Sequence, residues 1–171
     1  GVLASFNTAI NRLNELTQTT FAVKFQLIPL TTLVIYLDPN TDPFQNSNMG
    51  GALLQQCQDE LNKTIGFGNY DVGHIFTGGC TDVGGVVSGA VCGPNKGRGV
   101  TCHSSNSVIF ITENIMAHEV AHQFSAGHTW SNCPGSEGQL ASPSAFEPGS
   151  GTTIMSYSGA CGNQNIGASD T

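Results

Sequence analysis

Three of the five histidines in this chain fall within eleven consecutive positions: His118-Glu119-Val120-Ala121-His122-Gln123-Phe124-Ser125-Ala126-Gly127-His128. Residues four apart share a helix face, so His118 and His122 can present two imidazoles to one metal ion. Glu119 follows the first of them directly and can reach a water bound to that metal. His128 can return as a third ligand if the helix ends in between. Three neutral nitrogens and one open position describe a catalytic zinc site, not a structural one. The helix face around the pair is apolar, with Ile115, Met116, Val120, Ala121 and Phe124, so nothing but a metal or a mutual pairing explains two histidines there. A downstream glutamate is the alternative third ligand. The candidates, Glu137 and Glu147, sit among Ser, Gly and Pro with no second helix to carry them. His128 is the better choice.

The chemistry follows from charge. Zinc lowers the pKa of bound water from about 15.7 toward ~7. Glu119 then serves as general base and later hands the proton to a leaving amine. No covalent acyl-enzyme is required.

These side chains need a scaffold. Leu3, Phe6, Ile10, Leu13 and Leu16 recur at helical spacing and predict a helix over residues 2–17. Phe21, Val23, Phe25 and Leu27 alternate as a strand does, and 33–37 is a short apolar run read as a continuing or second strand. Residues 38–48 form a loop. Its Asp38-x-Asn40-x-Asp42 start resembles a calcium loop, but the required glycine and the closing acid are missing. A second helix is expected over 49–65, then strands over 70–77 and 83–92. Residues 99–103 are the expected partner of the latter. Gly84, Gly85 and Gly89 mark 83–92 as an edge, a bulge or a site of close backbone approach. Thr112 is a plausible N-cap for a helix over 113–124. The remainder is rich in Gly, Ser, Pro and Asn. The order predicts an α/β (α+β layered) domain with a twisted mixed sheet, an active-site helix and a loop-rich C-terminal part.

Composition narrows the classes. The length of 171 residues suits one domain. A net charge of −7 argues against nucleic acid and anionic membranes as partners. No apolar run is long enough to span a membrane. Cys57, Cys80, Cys92, Cys102, Cys133 and Cys161 make an even set without a C-x-x-C pair, which predicts three disulfides and an extracellular setting. Cys133 and Cys161 bracket the loop after the histidine cluster and are the one pair expected by name. Gly1 is not an initiator, so the chain reads as processed or trimmed. Asn62-Lys63-Thr64 is a glycosylation sequon. His74 and His103, outside the cluster, read as structural or exposed, and Trp130 as packing under the loop after His128.

A methionine-bearing turn, Thr153-Ile154-Met155-Ser156-Tyr157, completes the pattern. The elongated zinc motif with this turn resembles the metzincin metallopeptidases. Four stretches resemble the secreted bacterial reprolysin-like group: 69–74, 91–101, 117–130 and 147–157. Pappalysin-like enzymes are the alternative subfamily, since Thr129 follows the third histidine where classical reprolysins carry Asp. The resemblance implies that His118, His122 and His128 bind zinc, that Glu119 is the base, and that Met155 forms a hydrophobic floor under the metal. It implies that Gly84, Gly85, Val86, Val87 and Ser88 belong to an edge strand that pairs with an extended substrate, as a bare sheet edge can. Tyr157 stands where some metzincins use a Tyr on zinc or on the oxyanion. Its other reading is a packed residue of the turn. Ser125 departs from the family glycine. The turn that returns His128 asks it for a left-handed backbone, costing about 1 kcal/mol, which Gly127 is expected to relieve.

The domain is expected to divide into an N-terminal part, residues 1–127, and a loop-rich part, 128–171, and to be trimmed at both ends. The expected function is a secreted zinc endopeptidase acting on peptide or protein substrates as a monomer. The rivals are a catalytically silent metzincin-like binding domain, against which Glu119 stands, and a zinc amidase or deacetylase.

Overall fold

The computed structural model describes residues 1–103 and 112–167. Two compact units divide the chain, Gly1–Gln123 and Phe124–Thr171.

In the first unit, α1 covers Val2–Thr20 and buries Ala9 and Leu13 as its apolar spacing requires. Two polar side chains are buried with them, Asn14 and Thr17, and they explain why residues 21–27 are not the strand that alternation predicted. Asn14 brackets Phe25, accepting its N–H at 2.6 Å and donating to its C=O at 2.9 Å. Thr17 Oγ1 donates to Val23 O at 2.9 Å. Helix side chains thus take the bonds that a neighbouring strand would have supplied. The expected strand over 33–37 is also absent. Pro29–Val34 winds into a 3₁₀ turn with proline at its start, where the missing N–H costs nothing.

α2, Gly50–Thr64, matches the second predicted helix. Its first turn is capped from a distance: Gly50 and Gly51 N–H donate to the Asp82 carboxylate at 2.8 and 3.1 Å. These bonds, first that of Gly51 and then that of Gly50, lower the Asp82 pKa, as expected for an anion at a helix N-terminus. A Cβ on Gly50 would lie 2.6 Å from Val83 Cγ2, so only glycine lets the helix start this close to its capping loop.

The sheet is small and mixed, as expected. β1 is Ile75–Thr77, β2 Gly85–Val87 and β3 Gly99–Cys102. The order is β1-β3-β2. β3 runs parallel to β1 and antiparallel to β2, with Val86 opposite Val100. All four β3 residues are buried, and Leu53, Val100 and Cys102 centre the core with Ile75, Val83 and Val86 against them. β1 and β2 are shorter than the runs 70–77 and 83–92 predicted. Lys96, only 6 % exposed, lies between two rings, its Nζ 4.1 Å from the Phe67 centroid and 4.6 Å from that of Tyr70, a stacked cation–π arrangement.

The predicted helix over 113–124 is divided. Thr112–Met116 is π-helical, and α3, Ala117–Gln123, is regular. Thr112 lies inside the π segment, fully buried, instead of standing outside a helix as an N-cap.

Among its described residues the second unit has no long helix or strand. Trp130, Cys133 and Cys161 form its core with Tyr157 packed on it, and one bridge joins Trp130 to Glu147. Two disulfides form, not three: Cys133–Cys161 as expected, and Cys80–Cys102. Cys57 is buried on α2 and Cys92 is exposed in a left-handed turn, φ 59°, so one thiol is sealed in a core and the other faces water. Among the described residues no helix is long and apolar enough to cross a membrane.

Candidate metal centre

α3 sets His118 and His122 on one face. Their Nε2 atoms lie 3.1 Å apart with the rings nearly perpendicular. Two nitrogens about 2.05 Å from one tetrahedral zinc would be about 3.3 Å apart, so the pair already has the separation that a shared ion demands. His118 is 7 % exposed and His122 half-buried.

Glu119 lies beside them on α3 and is 6 % exposed. Burial pushes its carboxyl pKa up to about 8. Part of that burial comes from β2: a Cβ on Gly85 would lie 2.6 Å from Glu119 Cδ. The glycine that marks close backbone approach in the sequence therefore has a named partner, the carboxyl group next to the histidine pair. A cation nearby would oppose the burial effect and favour the carboxylate.

β2 lies at the sheet edge among the described strands. Cys102 N–H donates to Gly84 O at 2.8 Å and Ser88 N–H to Arg98 O at 3.1 Å. Gly84 and Ser88 thus extend the β3 ladder beyond the strand proper, and the alternation turns the backbone groups of Gly85 and Val87 to the other side.

In the second unit, His128 has its tautomer set. Its Nδ1–H donates to Gln139 O at 2.7 Å, so Nε2 is the unprotonated nitrogen of the neutral ring; a bond of this kind orients most metal-bound histidines. Burial lowers its pKa and outweighs the bond to Gln139, so the ring is a neutral donor. Ser144 Oγ donates to its carbonyl at 2.7 Å. Tyr157 lies against its ring, centroids 4.7 Å apart, and against Trp130 at 5.2 Å. Trp130 is 1 % exposed and occupies the position expected of it.

Ser125 takes the backbone its place demands, with φ 68°. Gly127 does not share that conformation. Instead it makes room for the loop, since an added Cβ would meet Ala141 Cβ at 3.2 Å. The expectation that Gly127 relieves the turn is therefore corrected: the left-handed step falls on Ser125 itself.

Met155 is half-buried in its turn, and its carbonyl accepts Thr129 N–H at 3.0 Å. Glu147, an alternative ligand by sequence, holds this turn: its carboxylate accepts the N–H of Thr152 at 2.7 Å and of Thr153 at 3.2 Å. Burial raises its pKa, but hydrogen bonds from Thr129, Thr153 and Thr152 outweigh that and lower it. The turn thus keeps Glu147 ionised and occupied. His74, of the two histidines outside the cluster, is half-buried, hydrogen-bonded through both ring nitrogens and structural.

One residue of the site escapes a reading of the sequence: Gln123, fully buried at the end of α3. Met116, Val120 and Gln123 recur at i, i+4 and i+7, so an amide on the buried face of the helix that carries the histidine pair is the signal available.

Three histidines, His118, His122 and His128, could hold a metal ion. The helical pair and its adjacent buried carboxyl group belong to the first unit, and the third imidazole, with its tautomer set, to the second. The chain matches the metallo-peptidase family M12B reprolysin-like model over residues 1–170, and it belongs to that family. No curated protein matches it. The two disulfides and the family are compatible with an extracellular location.

Proposed function

We propose that this chain is a secreted zinc endopeptidase in which His118, His122 and His128 hold one zinc ion and Glu119 is the general base. The observation that carries the reading is the histidine pair at 3.1 Å beside a carboxyl group buried under Gly85. All donors are neutral nitrogen, which suits zinc over calcium or magnesium. When bound, the ion supplies a Lewis acid that acidifies water and polarises a carbonyl.

The remaining work belongs to the chain. Glu119 takes a proton from the attacking water and delivers it to the amine that leaves. The edge formed by Gly84, Gly85, Val86, Val87 and Ser88 pairs with an extended peptide and fixes its register. Its glycine keeps the substrate backbone and the base close together. Tyr157 donates its hydroxyl hydrogen to the developing oxyanion. Met155 lines the floor under the histidines.

The test compares the wild type with Glu119→Gln. Both should bind about one zinc per chain, and only the wild type should cleave gelatin or an unfolded protein, with chelators abolishing the cleavage. Equal background cleavage by two folded, zinc-loaded proteins would leave a silent binding domain as the reading.

A further inference from the structure

α3 has only seven residues, Ala117–Gln123, and follows a π-helical segment. So short a helix does not hold its own direction, yet it must aim two imidazoles. The hold comes at its last residue. Gln123 Nε2 donates to Gly73 O at 3.0 Å and to Lys96 O at 3.4 Å. Its Oε1 accepts from His74 Nδ1 at 3.1 Å, and its main-chain carbonyl accepts Val91 N–H at 2.9 Å.

These bonds fix one another. Two carbonyls facing the amide nitrogen set its orientation, since a flipped amide would place oxygen against oxygen. Oε1 can only accept, so the His74 proton is on Nδ1. His74 Nε2 then accepts from Thr101 Oγ1 on β3, at 2.8 Å. Burial lowers the His74 pKa to about 4, so the ring stays neutral, as this chain of donors needs. The space is kept by glycine: a Cβ on Gly99 would lie 2.5 Å from His74 Nδ1 and 2.8 Å from Gln123 Oε1.

We propose that Gln123 is a positioning residue for the metal site, tying the end of α3 through His74 and Thr101 to the sheet and so fixing the direction of His122 and His118. The inference rests on the reading of these histidines as metal ligands. Gln58 supplies the control. It is also buried, at 3 % exposure, and donates to Tyr70 Oη at 2.8 Å while accepting Gly97 N–H at 2.7 Å, but it bonds to no part of α3.

Gln123→Met keeps the volume and removes the side-chain bonds. Gln123→Glu keeps the shape and sets a carboxylate oxygen against two carbonyls. Both should weaken zinc binding 10- to 100-fold in competition with a chromophoric chelator, the range for residues that orient ligands, and both should shift the visible bands of the cobalt-substituted protein. Gln58→Met should lower the Tm while leaving zinc affinity and cobalt spectrum unchanged. His74→Phe, which cuts the same tie from the sheet side, should shift the cobalt bands in the same direction and serves if the Gln123 variants do not fold. A folded Gln123→Met, or failing that a folded His74→Phe, with wild-type zinc affinity and cobalt spectrum overturns the inference. A wild type that binds zinc but cleaves nothing removes the endopeptidase reading and leaves the zinc comparison decisive. A wild type that binds no zinc removes both.

Discussion

The two units solve the same problem with different means. Gly1–Gln123 satisfies its backbone with helices and a sheet, and buries β3 entirely. Phe124–Thr171 has almost no regular ladder among its described residues. It is held by a disulfide, by one buried tryptophan and by side chains that reach the main chain, such as Glu147 on Thr152 and Thr153 or Ser150 Oγ on Ile166 N–H at 3.0 Å. Order in the first unit is spread over many equivalent bonds; in the second it rests on a few particular residues. Single substitutions should therefore act as graded losses in the first unit and as all-or-none losses in the second, except where the first unit carries chemistry.

The largest effect expected lies at that exception. Glu119→Gln changes one atom in the first unit and should reduce cleavage about 10²- to 10⁴-fold, the range for a general base, with zinc content and Tm unchanged as measured by metal analysis and calorimetry. Next come the disulfides. For sequence separations of 28 and 22, chain entropy gives the two bonds similar worth, roughly 3–4 kcal/mol each. Their consequences should differ. Removing Cys133–Cys161 by serine should shift the fluorescence of Trp130, the single tryptophan, to that of a solvated indole under native conditions. Removing Cys80–Cys102 should lower the Tm and leave that emission unchanged. The same response from both variants would end the comparison.

A smaller effect concerns pH. The Glu119 carboxyl in the metal-free fold has its pKa raised from 4.5 to about 8 by burial. Between those values the folded protein keeps a proton that the unfolded chain has released. The stability linked to this group is thus fully present below pH 4.5 and is lost as pH rises through about 8. Metal-free wild type should lose a few kcal/mol between pH 5 and pH 8.5 relative to Glu119→Gln, which cannot titrate; denaturant titrations at the two pH values measure it. Parallel pH profiles would show that the carboxyl is not buried. The smallest effect is at Ser125. With φ 68°, Ser125→Gly removes a strain of about 1 kcal/mol and returns part of it as chain entropy, so the Tm should rise slightly. Ser125→Val should lower it by more.

The same contrast governs what the sequence makes legible. The motif residues are contiguous, and helix geometry converts their spacing into position, so the paired histidines and the carboxyl beside them follow from the residues alone. α1 and α2 follow from periodicity. Residues 21–27 mislead, because alternation reports one buried face and not the identity of the bonding partner. Here the partners are Asn14 and Thr17, on a helix. The Ser125 backbone follows from the turn that His128 needs, whereas the role of Gly127 is spatial and not conformational, a distinction that its residue type does not carry. Gln123 gives no local sign of its task because its partners, His74, Gly73 and Lys96, lie 27 to 50 positions away. In the second unit, composition announces a loop but does not say that Glu147 holds it.

Lys96 has a consequence of another kind. It is the last lysine, two positions before the last arginine, and its ammonium group is covered by Phe67 and Tyr70. From Gly99 onward the chain contains Glu113, Glu119, Glu137, Glu147 and Asp170 but no Lys or Arg. A peptidase that cuts after basic side chains finds its sites only in the first 98 residues, and the aromatic cover withholds one of those. Digestion by such an enzyme would leave residues 99–171, with His118, His122 and His128 among them, as one uncut piece.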